Sequence, residues 1–164
     1  MNSPARKSGT PERFTVDQAN RMLPLVRAIA KDLVAQHELV EQLSHRLERL
    51  GRSKSKKNAS SDNEFADEIE GFRRELATEQ EKLDTFRHEL NRLGVHTRLP
   101  VGHCDFPGSI DGQEIDLCWM PDEPEILFWH RSGADFDERR PLVAGAGAGF
   151  EDHSGDRSWS DSHE

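Results

Sequence analysis

Two cysteines in 164 residues are too few for a disulfide scaffold, so a reducing cytoplasm is the expected compartment. No apolar stretch approaches the ~18 residues of a membrane span. The basic start, Arg6 and Lys7, is followed by no apolar segment of the secretory kind. Apolar residues amount to only 34% and charged ones reach 32%. That balance suits long exposed helices or disordered ends better than a thick, many-layered globule. Positive charge is short as well, with 22 Lys and Arg against 31 Asp and Glu and a net charge of −9. A general nucleic-acid binder presents a basic face, so only the basic loop at 52–57 is left to touch nucleic acid. No Gly-rich phosphate loop, G-x-S-x-G elbow, H-E-x-x-H helix or calcium loop occurs, and no cofactor is expected.

What the chain does have is periodicity. Residues 1–13 are polar and aperiodic, which predicts a disordered lead-in. Thr15 with Gln18 then forms a capping box and opens a helix. From there Met22, Val26, Ile29, Leu33, Gln36, Val40, Leu43, Leu47 and Leu50 recur at alternating steps of four and three, a heptad seam. Pro24 should kink the helix or split its first turns from the rest. Gly51 reads as a stop, and 51–62 as an exposed basic loop. Ser61 with Glu64 repeats the capping box. A second seam follows, through Phe65, Ile69, Phe72, Leu76, Glu79, Leu83, Phe86, Leu90 and Leu93, with Gly94 ending it.

Folding the chain back on itself matches the two seams. Leu47 meets Ile69, Leu43 meets Phe72, Leu33 meets Leu83, Val26 meets Leu90 and Met22 meets Leu93. Gln36 and Glu79, the single polar residue of each seam, also meet, and a polar pair of this kind fixes register. The expected element is an antiparallel coiled-coil helical hairpin over 15–94, ~50 Å long.

The period then changes to two. Asp111-Gly112 marks a tight hairpin that sets Phe106 opposite Leu117 and Cys104 opposite Trp119. A second turn at 121–124 sets Trp119 opposite Ile126, Leu117 opposite Phe128 and Ile115 opposite His130. One face then holds Cys104, Phe106, Ile115, Leu117, Trp119, Ile126, Phe128 and His130, and it reads as the core face. The other carries His103, Asp105, Asp116, Cys118, Met120, Glu125, Leu127 and Trp129. Residues 95–99 are a candidate fourth strand, so the fold class is α+β: a helical hairpin with a three- to four-stranded antiparallel sheet. The sheet should cover the Pro24 end of the first helix, whose first half carries Leu25, Ala28, Val34, Ala35 and Leu39 beyond its seam. The single domain is expected to span 14–142, with a docked segment ending it. Residues 143–164 read as a disordered acidic tail.

The stretches FTVDQANRMLPL at 14–25, GHCDFPG at 102–108, DGQEIDLCWMPDEPEILFWH at 111–130 and DFDERRPL at 135–142 resemble bacterial domain-of-unknown-function family 2203. The resemblance covers about residues 14–142 and implies a helical hairpin plus a small sheet, with no activity attached. His103 and Cys104 depart from it, standing where the family more often has aliphatic residues. Asp137 and Glu138 replace small ones.

Eight histidines and two cysteines raise a metal site. In the register above, however, Cys104 and His130 face one side of the sheet while His103 and Cys118 face the other, so no ligand set converges. The same opposition excludes a disulfide. Cys118 has acids as its expected neighbours, which disfavour a thiolate nucleophile. His130, Arg139 and Arg140 with Asp105 and Glu123 form the candidate polar site, for anion binding, acid–base work or simply anchoring 135–142. Arg139 or Arg140 is expected beside His130 and an acid, Asp105 first. Leu25, Leu39, Met120, Leu127 and Trp129 are the candidate interface. The leading expectation is a non-catalytic protein-interaction or scaffold module acting as a homodimer or with another protein. The alternative is a small-ligand-binding protein or enzyme around His130, Arg140, Asp105 and Glu123.

Overall fold

The structure is a computed structural model and describes residues 13–54 and 62–143. The expected disordered ends and most of the basic loop therefore lie outside the described residues. Helix α1 runs Val16–Lys54 and α2 runs Asp62–Arg92. The capping box at the start of α1 forms as read. Thr15 N–H donates to Gln18 Oε1 at 2.9 Å and Gln18 N–H donates to Thr15 Oγ1 at 3.2 Å. The helix continues unbroken through Pro24, so its first turns are not split off.

Gly51 does not stop α1. A glycine ends a helix by turning left-handed, and Gly51 keeps a helical φ, whereas Gly94 adopts φ 79°. At Gly94 the Val95 N–H returns to Leu90 O at 3.0 Å and the Gly94 N–H to Asn91 O at 3.0 Å, the double closure of a Schellman motif.

The two helices bury Val26, Leu33, Val40, Ile69, Leu83 and Leu90. Midway along, Gln36 Nε2 donates to Glu79 Oε2 at 2.6 Å and to Glu79 O at 2.9 Å, so the expected polar pair is formed. Lys82 first, then Gln36, holds the Glu79 carboxyl below the usual carboxylate range. Its share of stability is full above that range and is lost as the pH falls through the lowered value. The double change Gln36→Leu with Glu79→Leu is expected to raise Tm by a few degrees and to remove this acid sensitivity. Thermal melts at neutral and acid pH check both effects.

The sheet contains five strands rather than three or four, in the order β1-β2-β3-β4-β5, all antiparallel. They are β1 His96–Arg98, β2 His103–Ile110, β3 Gln113–Trp119, β4 Phe128–Arg131 and β5 Arg140–Pro141. The Asp111-Gly112 hairpin has both central residues at positive φ, 51° and 76°, and sets Phe106 against Leu117 and Cys104 against Trp119 as read. The β3–β4 register differs by one residue: Asp116 pairs with His130, Leu117 with Trp129 and Cys118 with Phe128. The cause is Ile126. It is not paired across from Trp119 but buried to 3% exposure, its N–H donating to Asn20 Oδ1 of α1 at 2.8 Å. The connection is therefore longer than a four-residue turn, and every β4 side chain changes face.

The sheet packs on the Pro24 end of α1, through Ala19, Leu23 and Ala30, against Phe106, Leu117 and Trp119. Leu25 and Leu39, two of the extra apolar residues, instead remain exposed. Gly102, at φ 81°, lies so close to α1 that a Cβ there would stand 2.5 Å from Val34 Cγ2. Phe14 bridges to Gly108, donates its N–H to Pro107 O at 2.7 Å and sets its ring edge-on to Phe106, centroids 5.5 Å apart. Arg27 on the next turns reaches the carbonyls of Glu123 at 3.1 Å and Pro124 at 3.3 Å, with its guanidinium over Trp119. These contacts fix the 120–127 connection, and with it the position of β4.

Candidate functional site

The slip of β4 decides what the second face contains. Alternation along the strands puts His103 and Asp105 of β2, Asp116 and Cys118 of β3, and Phe128 and His130 of β4 on one side. His130 thus leaves the expected core face, and Trp129 takes its place there, packed against the core. The exclusion of a metal site rested on His130 and Cys118 pointing apart. That ground fails.

Asp105 is 3% exposed and His130 1%. His130 Nε2 lies 3.0 Å from Asp105 Oδ1, and Nδ1 lies 2.9 Å from Arg131 O. Both partners are oxygens, so a ring that donates to both carries two protons. Burial opposes that charge, but the Arg131 carbonyl and the Asp105 carboxylate outweigh it and raise the histidine above its ordinary value. Asp116 stands 4.0 Å from Nδ1, its own carboxyl pushed up by burial and then by Asp105. Arg98 of β1 reaches the second Asp105 oxygen at 3.6 Å. Burial, then Asp105, pushes the Cys118 thiol up to about 12, which leaves it a poor nucleophile. Cys104 faces the core, also pushed up to about 12 by burial, and both cysteines are free.

Glu123 and Arg139 form a separate closed pair. Arg139 Nη2 meets Glu123 Oε1 at 2.5 Å, while Glu123 Oε2 accepts the Met120 N–H at 2.9 Å and Glu123 O accepts Trp119 Nε1–H at 2.9 Å. The Arg139 guanidinium lies between the Phe128 ring at 3.9 Å and the Phe136 ring at 4.6 Å. A 3-10 turn over Phe136–Glu138 carries that sandwich. Phe136 also lies beside the His103 ring, centroids 5.0 Å apart.

Arg140 is elsewhere. It pairs across from Trp129 on the core side, its guanidinium 5.6 Å from that ring, beside a cavity of about 420 Å³ lined by Ile110, Trp129 and Leu142. His130, Arg140, Asp105 and Glu123 therefore do not converge, and Asp105 takes His130 and Arg98 rather than Arg139 or Arg140. The expected docked segment is present: Leu142 packs against the core and its N–H donates to Leu127 O at 2.8 Å, one residue past Pro141. His103 and Asp105 share a face as the alternation of β2 implies, whereas the approach of Arg98 from β1 has no signal in the sequence.

Of the candidate interface, Leu25 is 52%, Leu39 38% and Leu127 37% exposed, while Met120 and Trp129 are half-buried. Among the described residues no helix is long and apolar enough to cross a membrane.

No curated protein and no solved structure matches the chain. A family model described as an uncharacterized conserved protein, DUF2203, matches residues 12–142. The match runs from just before the cap of α1 to the residue after β5, so the whole hairpin-and-sheet unit is what is shared, and the chain belongs to the DUF2203 family.

Proposed function

We propose that the chain is a non-catalytic interaction module that works as a homodimer in a reducing cytoplasm. The observation that carries this reading is one unpartnered stripe on α1. Leu25, Ala28, Ala35 and Leu39 are all exposed and fall on one side of the helix. Farther out the stripe turns basic, through Arg46, Arg49 and Arg52 beside Leu39 and Leu43 in an open groove. A second copy is the occupant that the charges favour. Helix α1 carries seven Lys and Arg against five Asp and Glu, whereas α2 carries five against ten. The basic end of one hairpin thus complements the acidic helix of another.

A ligand or enzyme site around His130, Arg140, Asp105 and Glu123 is less well supported. Two of its pairs are closed, and Arg140 stands on the other face.

Sedimentation across a range of concentrations tests the homodimer. Wild type should associate, and Leu25→Glu with Leu39→Glu should yield monomer with unchanged circular dichroism. A wild-type chain that stays monomeric at every concentration, or a double variant that dimerises like wild type, overturns the proposal.

A further inference from the structure

Asp105, Cys118 and His130 come from three neighbouring strands, and one ligand atom from each lies within 4.8 Å of the others. All three residues are buried, at 3%, 0% and 1% exposure. A carboxylate oxygen, a thiolate sulfur and an imidazole nitrogen are donor types that zinc accepts together. Bonds of about 2.0–2.3 Å in a tetrahedron set ligand atoms roughly 3.3–3.8 Å apart. The three side chains reach that spacing with shifts of about an ångström.

The surroundings orient these groups as a metal site requires. Nδ1 of His130 is engaged by the Arg131 carbonyl, which leaves Nε2 aimed at Asp105 Oδ1. Arg98 holds the other Asp105 oxygen and leaves Oδ1 free to ligate. His103 stands two residues before Asp105 on the same face. Its Nε2 is buried and has no hydrogen-bond partner among the described residues. Without an ion, these groups hold a ring nitrogen against a carboxylate out of water and leave the His103 Nε2 unsatisfied. One divalent cation takes the place of the proton between Nε2 and Oδ1, and the His103 nitrogen on the same face is free to turn toward it.

We propose that Asp105, Cys118 and His130, with His103 as the fourth ligand, bind one zinc ion that staples β2, β3 and β4 together. The site is of the closed, structural kind, with four protein ligands and the Phe136–Arg139 segment beside it.

The full chain, stripped with a chelator and then titrated with zinc or cobalt(II), tests this. Expected are one metal per chain, a rise in Tm with zinc, and the visible bands of tetrahedral cobalt with a thiolate charge-transfer band. Cys118→Ser should lose the charge-transfer band and about 100-fold in zinc affinity, whereas Cys104→Ser, on the opposite face, should keep both. His103→Ala changes only a half-buried residue, so it carries the test if Cys118→Ser fails to fold; about 10-fold or greater loss of affinity is expected. Substoichiometric metal, a Tm indifferent to zinc, or a cobalt spectrum equally affected by both cysteine variants overturns the site. Unchanged affinity in His103→Ala overturns the four-ligand set. None of these readouts depends on the oligomeric state, so loss of the zinc site leaves the homodimer reading to its own test.

Discussion

Gly102→Ala is expected to destabilise the fold by about 2–5 kcal/mol, measured by denaturant unfolding. Two costs combine. At φ 81° a side chain is strained by roughly 1–2 kcal/mol. The new methyl would also stand 2.5 Å from Val34 Cγ2. Valine is stiff about χ1, so the overlap has to be relieved by backbone movement, at about 1–3 kcal/mol. Adding Val34→Ala should recover the overlap but not the conformational strain, leaving the double variant still less stable than Val34→Ala alone. An unfolding midpoint equal to that of wild type in Gly102→Ala would mean that sheet and helix do not approach here.

Arg139→Ala is expected to cost about 2 kcal/mol and Arg140→Ala less than about 0.5 kcal/mol. The adjacent arginines differ because the extended backbone from Arg139 into β5 sends them to opposite faces. Arg139, 15% exposed, loses its carboxylate partner and its place between two aromatic rings, and it leaves Glu123 half-buried without its counter-charge. Arg140 is exposed on the edge strand and lies beside a single ring, that of Trp129. Arg139→Lys should restore little, because an ammonium has no planar surface to lie between rings. Equal losses for the two alanine variants, read as unfolding free energies, would contradict the arrangement.

The hairpin was legible because its register is written twice, once in the apolar steps and once in Gln36 and Glu79. The β2–β3 pairing was legible because Asp111-Gly112 permits only a tight turn. The β3–β4 register was not. Prolines at 121 and 124 look like a short turn, whereas the alignment depends on Ile126 being held by Asn20, a contact with a helix far back in the chain. One residue of slip moves His130 and so rewrites the candidate site, although His103, Asp105, Cys118 and His130 are each singled out by the sequence and only Arg98 is not. The side of α1 beneath the sheet was hidden for a different reason: Ala19 and Ala30 bury little area and leave a faint hydrophobic pattern.

Because strand order equals chain order, nearly all pairing joins segments that are close in sequence, and such contacts close only short loops. Contacts between the start of α1 and the sheet span far more of the chain, among them Phe14 to Pro107, Asn20 to Ile126 and Arg27 to Glu123. Closing a long loop costs more chain entropy and returns nothing until both ends are structured. The helical hairpin and the strand meander can therefore form as separate, quickly assembled halves, with their docking as the slow event. On a chain made from its amino terminus, the first turns of α1 are the earliest helix to emerge and among the last groups to be satisfied. They remain open until the 120–127 connection exists for Asn20 and Arg27 to hold.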